Sequence, residues 1–299
     1  MPVQRVLSGP TLCLFAPDPF HLIILKPSPH RHRILPHLYR GLLTLTRKHG
    51  LFTLARLHHR LWKGEQQVSI AGGAELLMPG DTHYFGFLAG VHERHITNLV
   101  NSIVVAGDPC IDVGANIGYF SMMMAARAGS SGRVLAFEPV PETYACLQKN
   151  AALAAKQGWL LEPFQKAVSA EAGRVSIQRH EHSTLHQVQK LAHSAPAASE
   201  EITCVSLDQV LKDNSIASVK LLKIDVEGHE TQVIAGAMHS LQSGKVQHLV
   251  IEVTPGKDAE SIGQMLADLK VKPLCWVDDS WKSIPVSQLE HRTDVWVSF

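Results

Sequence analysis

No stretch of this sequence stays apolar for the ~20 residues that a membrane-spanning helix requires. The nearest approach, Leu12 to Leu25, is broken by Pro17, Asp18 and Pro19. The beginning also lacks a basic segment followed by an unbroken apolar core and a small-residue cleavage site, the pattern of a secretory leader. Cysteine is scarce and unpaired: five residues, an odd number with no C-x-x-C, so a disulfide framework is not expected and a reducing compartment is. Together these absences predict a cytoplasmic chain. Acid is missing from one region only. Residues 1–63 carry ten Lys or Arg against Asp18 alone, while the whole chain has a formal charge of +1, so a basic arm is joined to an acidic body. An apolar fraction of 45% with 18% charged residues excludes bulk disorder. The 299 residues suffice for one large α/β domain with an appendage, or for two small domains.

What is present is organised around Cys110 to Ser121. Val104, Val105 and Ile111 to Val113 read as a short apolar strand interrupted by the Gly107-Asp108-Pro109 turn, and Tyr119 to Arg127 read as a helix. The glycines therefore fall where a strand hands over to a helix, and there a missing Cβ lets backbone N–H groups approach a ligand. The spacing is Asp112-x-Gly114-x-Asn116-x-Gly118 rather than the dinucleotide pattern G-x-G-x-x-G, and the acid would repel a phosphate. A cationic ligand with an amino-acid end suits it, such as S-adenosylmethionine. Asp112, Gly114, Ala115, Asn116 and Gly118 are the candidates for its methionine end. The next strand, from Arg133, ends in Glu138, which can accept both ribose hydroxyls. Adenine is expected near Lys166, Ala167 and Val168.

Four motifs in order, Asp112-Val-Gly-Ala-Asn-Ile-Gly118, Ala136-Phe-Glu-Pro139, Val205-Ser-Leu-Asp208 and Lys223-Ile-Asp-Val-Glu-Gly228, make residues 85–255 resemble the FkbM-type S-adenosylmethionine-dependent methyltransferases. The resemblance does not extend to the first sixty or so residues. It implies a Rossmann-like class I methyltransferase fold, transfer of methyl usually to a hydroxyl, and no metal. Gly90-Val-His-Glu93 matches the family's Gly-x-Tyr-Glu element in its glycine and acid, with His92 in place of the aromatic. Glu93 is therefore a candidate substrate contact; the competing reading is an acid favoured at a helix start by the dipole.

The chain divides into a basic, partly helical extension over 1–63 and a methyltransferase domain over 64–299. Ile34 to Trp62 shows two segments of helical spacing around Gly50. These serve either as a peripheral membrane or nucleic-acid contact, or as a helical pair packed on the body with a solvated basic face. Two short strands are expected around Gly72-Gly73 and a helix from Arg94 to Asn101. Strands are expected at 110–113, 133–138, 160–166, 219–225, 247–254, 273–278 and 293–298, and helices at 119–129, 141–156, 229–243 and 258–270. That alternation predicts a mostly parallel seven-stranded sheet covered on both faces, with an antiparallel last strand. The alternation fails over 169–218, an insertion containing an added strand at 173–179. Its His180-x-His182-x3-His186 series, with His193 beyond, lacks the Cys or acid that would complete a metal set, leaving substrate contact or loop surface.

The reacting centre is expected at Leu221 to Glu230. Asp225 ends a central strand and Gly228 turns into a helix, so Asp225 is placed nearest the methyl group with Glu227 and His229 beside it. These three are the candidate catalytic residues, Asp225 also touching the cofactor. Glu252, ending Leu249-Val-Ile-Glu252, is a second candidate substrate contact. For Asp225, Glu227 and Glu252 alike the other reading is a helix-capping or strand-end acid. An Asn/Asp-Pro-Pro-aromatic turn, common where amines are methylated, is absent, which favours a hydroxyl. The expected activity is O-methylation of a small metabolite or sugar-containing substrate. An RNA methyltransferase using the basic arm, or a module that holds the cofactor without transfer, are the alternatives.

Overall fold

The computed structural model describes residues 64–80, 86–87, 92–178, 187–189 and 199–299. The expected helical pair of the arm and His180, His182, His186 and His193 lie outside these residues. Two short antiparallel strands, β1 (Gln66–Ser69) and β2 (Glu75–Met78), precede helix α1 (Arg94–Ile103). The body then alternates: β3 (Pro109–Val113), α2 (Tyr119–Ala128), β4 (Arg133–Phe137), α3 (Pro141–Lys156) and β5 (Leu161–Phe164). After an inserted region come β10 (Val219–Ile224), α5 (Glu230–Ala235), α6 (Met238–Gln242), β11 (Val246–Val253), α7 (Lys257–Asp268), β12 (Leu274–Val277), β13 (Ser280–Lys282) and β14 (Thr293–Ser298).

The main sheet runs β13-β12-β14-β11-β10-β3-β4-β5. Strands β5, β4, β3, β10 and β11 are parallel, and β14 enters antiparallel between β11 and β12. This order is the class I methyltransferase arrangement with an eighth short strand at one edge. The extra strand follows a two-residue turn at Asp278 and Asp279, both left-handed at φ 49° and 56°. Such a turn matches the twist of a hairpin, and aspartate adopts it with less strain than most residues, so no glycine marked it in the sequence. One apolar cluster packs α1, α2 and α3 on one face, and a second packs α5, α6 and α7 on the other.

Several boundaries differ from expectation for local reasons. Val104 and Val105 belong to no strand: Val104 closes α1, and Val105 is 52% exposed. The expected helix 229–243 is two helices, because the chain at Gly236 presses on Ser169, where an added Cβ would lie 2.1 Å from the carbonyl oxygen. The insertion forms its own sheet, β6-β9-β7-β8, from β6 (Ala167–Val168), β7 (Gly173–Gln178), β8 (Gln187–Gln189) and β9 (Ser199–Val205), followed by α4 (Leu207–Asp213). Ser206 caps α4, accepting from Gln209 N, and the Asp208 carboxylate accepts from His239 N and Ser240 N at the start of α6. The Val205-Ser-Leu-Asp208 motif thus joins helices and stands apart from the cleft.

Candidate active site

The C-terminal tips of β4, β3, β10 and β11 open into one cleft of about 1000 Å³ including its mouth. At its centre β3 turns at Gly114, whose N–H, with that of Ala115, donates to Phe137 O at 2.9 Å. On the other side Asp225 N donates to Val113 O at 2.9 Å. Gly114 is required twice over. Its φ is +80°, and a Cβ there would stand 1.7 Å from Asp225 O. Gly118 starts α2 at φ +90° against Leu147 and does not line the cleft, so its role is to set the helix.

Asp112 is 1% exposed; its Oδ2 accepts from Ser121 Oγ at 2.5 Å, and its Oδ1 has no hydrogen-bond partner although buried. Burial pushes its carboxyl up, opposed by Lys223 and Ser121. Glu138 is also buried. Its Oε1 accepts from Val140 N and Thr143 Oγ1, and its Oε2 from Asn116 N at 2.8 Å. Burial pushes Glu138 up to about 7 against these three bonds. A carboxylate has about four acceptor positions, so one remains for a single ribose hydroxyl rather than the two expected from the sequence. An orphaned buried carboxylate oxygen at the glycine turn and a held acid one strand away fit the ammonium and ribose of S-adenosylmethionine. Pro139, Val140 and Ile177 add apolar walls to the cleft that Glu138 lines. Ala167 instead lines a separate recess behind the glycine turn, with Lys166 and Val168, because β6 belongs to the inserted sheet.

The other half of the cleft gathers charge. Lys223 is 3% exposed, its Nζ 3.0 Å from Asp225 Oδ2 and 5.0 Å above the Phe120 ring. It pairs in register with Asp112 across β3 and β10. Burial disfavours charge on Asp225, but Lys223, with Glu252 and Arg292 adding to it, outweighs burial and holds the carboxyl below its usual value. Arg292 bridges Glu227, at 2.7 Å, and Glu252. One oxygen each of Asp225, Glu227 and Glu252 lie within 4.8 Å of one another. Their charge is met inside the protein by Lys223 and Arg292.

The capping alternatives resolve locally. The turn after β10 is held by Glu230, whose Oε1 accepts from Val226 N and Gly228 N, so Asp225 and Glu227 turn their carboxyls into the cleft. Glu93 precedes α1 without a side-chain cap bond and also lines the cleft, its Oε1 3.2 Å from His92 Nε2 and its Oε2 buried without a partner. Burial raises Glu93 to about 8 and lowers His92 to about 4. Glu93, Asn116 and Glu227 all hold left-handed backbone, φ 37°, 51° and 56°, which is strain concentrated at one site. His229 departs from expectation. It is 4% exposed, points away from the cleft, and contacts Ser169 Oγ through Nε2 at 3.0 Å, so it ties α5 to the inserted sheet and cannot receive a proton from an acceptor.

The structure therefore gathers Asp112, Gly114, Ala115, Asn116, Glu138, Asp225, Glu227, Glu93 and Glu252, and leaves out Gly118, Ala167 and His229. Sequence reasoning missed Lys223, Arg292 and the aromatic wall of Phe87, His92, Tyr119 and Phe120, in which Phe87 stacks on Tyr119 at 4.7 Å. Lys223 had a signal: a cation inside the apolar run of β10, two residues before Asp225 and so on the same face. Arg292 had none.

Residues 112–271 match the family described as the methyltransferase FkbM domain. The hexuronic acid methyltransferase AglP of Haloferax volcanii is 27% identical over 181 residues, covering 60% of this chain and 70% of that protein. The 31-O-demethyl-FK506 methyltransferase FkbM of Streptomyces tacrolimicus is 31% identical over 192 residues, covering 55% and 71%. Among solved structures, methyltransferase FkbM from Methylobacillus flagellatus KT is 15% identical with a TM-score of 0.43; the alignment covers 64% of this chain and 43% of that one. The fold assignment rests on the strand order.

Proposed function

The chain belongs to the methyltransferase FkbM family, and from that premise we propose that it methylates a hydroxyl group on a small metabolite or sugar-containing acceptor. Membership makes it an S-adenosylmethionine-dependent methyltransferase. Bound in the cleft, S-adenosylmethionine supplies an electrophilic methyl carbon whose bonding pair departs with sulfur. Asp112 and the turn from Gly114 to Asn116 hold the methionine end, Glu138 accepts from the ribose, and Val140 and Ile177 wall the base.

Asp225 carries the chemistry in this reading. Its backbone N–H is bonded to β3 at the glycine turn and its carboxylate is kept ionised by Lys223, so base and cofactor turn are positioned by one hydrogen bond. An ionised carboxylate at that place accepts the acceptor's O–H, takes the proton as the oxygen attacks, and fixes the angle of approach. The aromatic wall restricts water. Glu227 and Arg292 stand at the acceptor side to bind further polar groups.

Two observations support a small hydroxylated or sugar-containing acceptor over RNA. Six acids line the cleft against Lys223 and Arg292, and both cations are already paired, which disfavours a polyphosphate. Two relatives carry names that specify a hexuronic acid and a 31-O position. The test is label transfer from S-adenosylmethionine to a panel of glycans, hydroxylated metabolites and RNA. Asp225→Asn is expected to lower transfer at least about a hundredfold while cofactor affinity stays within about threefold. Label entering RNA alone, or undiminished transfer by the variant, overturns the reading.

A further inference from the structure

We propose that Glu252 acts as a neutral hydrogen-bond donor in the acceptor site, giving its proton in a hydrogen bond to a second acceptor oxygen beside the hydroxyl that Asp225 receives. This rests on the hydroxyl-acceptor reading above and narrows it to acceptors with oxygens on neighbouring carbons, as in a sugar ring.

Strands β10 and β11 run parallel with Ile224 paired to Ile251, so Asp225 and Glu252 are the next residues on each and stand side by side at the strand tips. One carboxyl oxygen of each lies within 4.8 Å of one of the other's, and two carboxyls that close disfavour double ionisation, so one of them holds a proton. The surroundings decide which one is charged. Lys223, buried on β10, faces Asp225. Arg292, on the approach to β14, faces Glu252 but is divided with Glu227 from the turn after β10. Asp294, directly across from Glu252 on β14, adds a further negative charge, itself bonded to His95 of α1 at 2.6 Å. Lys223 makes its ion pair with Asp225 and none with Glu252, while Arg292 is split between two acids. The proton therefore belongs to Glu252, where burial and the Asp225 charge raise the carboxyl to about 9 against Arg292.

An ionised carboxylate only accepts hydrogen bonds, and a protonated one has a hydrogen to give. Side by side, Asp225 and Glu252 therefore match a hydroxyl flanked by an oxygen that accepts. An isolated alcohol satisfies Asp225 and leaves the Glu252 proton unused. Glu252 keeps its proton throughout; the proton released by the acceptor goes to Asp225.

The experiment uses the full chain. An infrared difference spectrum, wild type minus Glu252→Gln at pH 7, is expected to show the carbonyl band of a protonated carboxyl that disappears above about pH 9, a measurement needing no acceptor. With a hydroxylated acceptor found by label transfer, Glu252→Ala is expected to lose about ten- to a hundredfold in kcat/KM, and Glu252→Gln, which still carries N–H donors, about threefold. Wild-type activity should fall above about pH 9 and that of Glu252→Gln should not. Absence of the band, Gln as damaging as Ala, or equal transfer to matched alcohols with and without the neighbouring oxygen overturns the inference while leaving hydroxyl methylation standing. The band without transfer to any hydroxyl sinks the functional reading and this one with it.

Discussion

Lys223 Nζ stands 3.0 Å from Asp225 Oδ2, two residues along one strand and on one face of it, with Asp112 opposite on the neighbouring strand. A single buried ammonium thus serves an acid on the cofactor side and an acid on the acceptor side. Its own pKa lies above the ordinary lysine value: burial lowers it, but Asp225 and Asp112 raise it by more, so it stays charged throughout the working range.

Lys223→Met is expected to raise the Asp225 carboxyl from its depressed position. Asp225 would then titrate higher, so the acidic limb of the rate profile moves upward in pH, and activity at pH 7 falls more than at pH 9. Lys223→Arg keeps the charge and should restore part of the wild-type profile. The lost partner costs about 1–3 kcal/mol in urea unfolding. An acidic limb that does not move shows that Lys223 does not set the charge of Asp225.

Glu138 links cofactor affinity to stability. Its carboxyl goes from 4.5 to about 7 in the fold, so the neutral form is favoured there. The corresponding stability is fully present below pH 4.5 and is lost as pH rises through about 7. The unfolding free energy of wild type relative to Glu138→Gln should therefore be more favourable at pH 5 than at pH 8. Calorimetric affinity for S-adenosylmethionine at pH 8 should drop ten- to a hundredfold in the variant, about 1.5–3 kcal/mol for a charged hydrogen bond.

Gly114→Ala meets the backbone of Asp225, which cannot rotate away as a side chain can. We expect loss of cofactor binding and a fall in stability exceeding that of Gly244→Ala. Gly244 has φ +69° and nothing within 4 Å of an added Cβ, so its variant carries only the left-handed strain of about 1–2 kcal/mol. Equal melting temperatures for the two variants would contradict the close approach.

His229→Ala leaves Ser169 without its partner in the interior and is expected to cost about 1–3 kcal/mol. The rate per folded molecule should stay within about twofold of wild type, with no change in the pH profile between 5 and 8. A lost titration in that range would restore His229 to the reaction.

What the sequence by itself determined is local. Apolar strands alternating with helices, a glycine turn after β3, Glu138 at the end of β4 and Asp225 at the end of β10 each follow from neighbours within a few residues. Strand ends in a parallel sheet share one edge, so their meeting in a cleft followed too. Tertiary structure decided the rest. His229 sits beside Asp225 in the chain yet faces inward, since Glu230 fixes the turn and the inserted sheet offers Ser169 as partner. Arg292 reaches Glu227 and Glu252 only because β14 enters antiparallel beside β11. Whether a carboxyl in this cleft is charged depends on separations of a few ångströms between groups far apart in sequence, since Coulomb energy falls with distance and grows with burial. Residue order alone contains neither quantity.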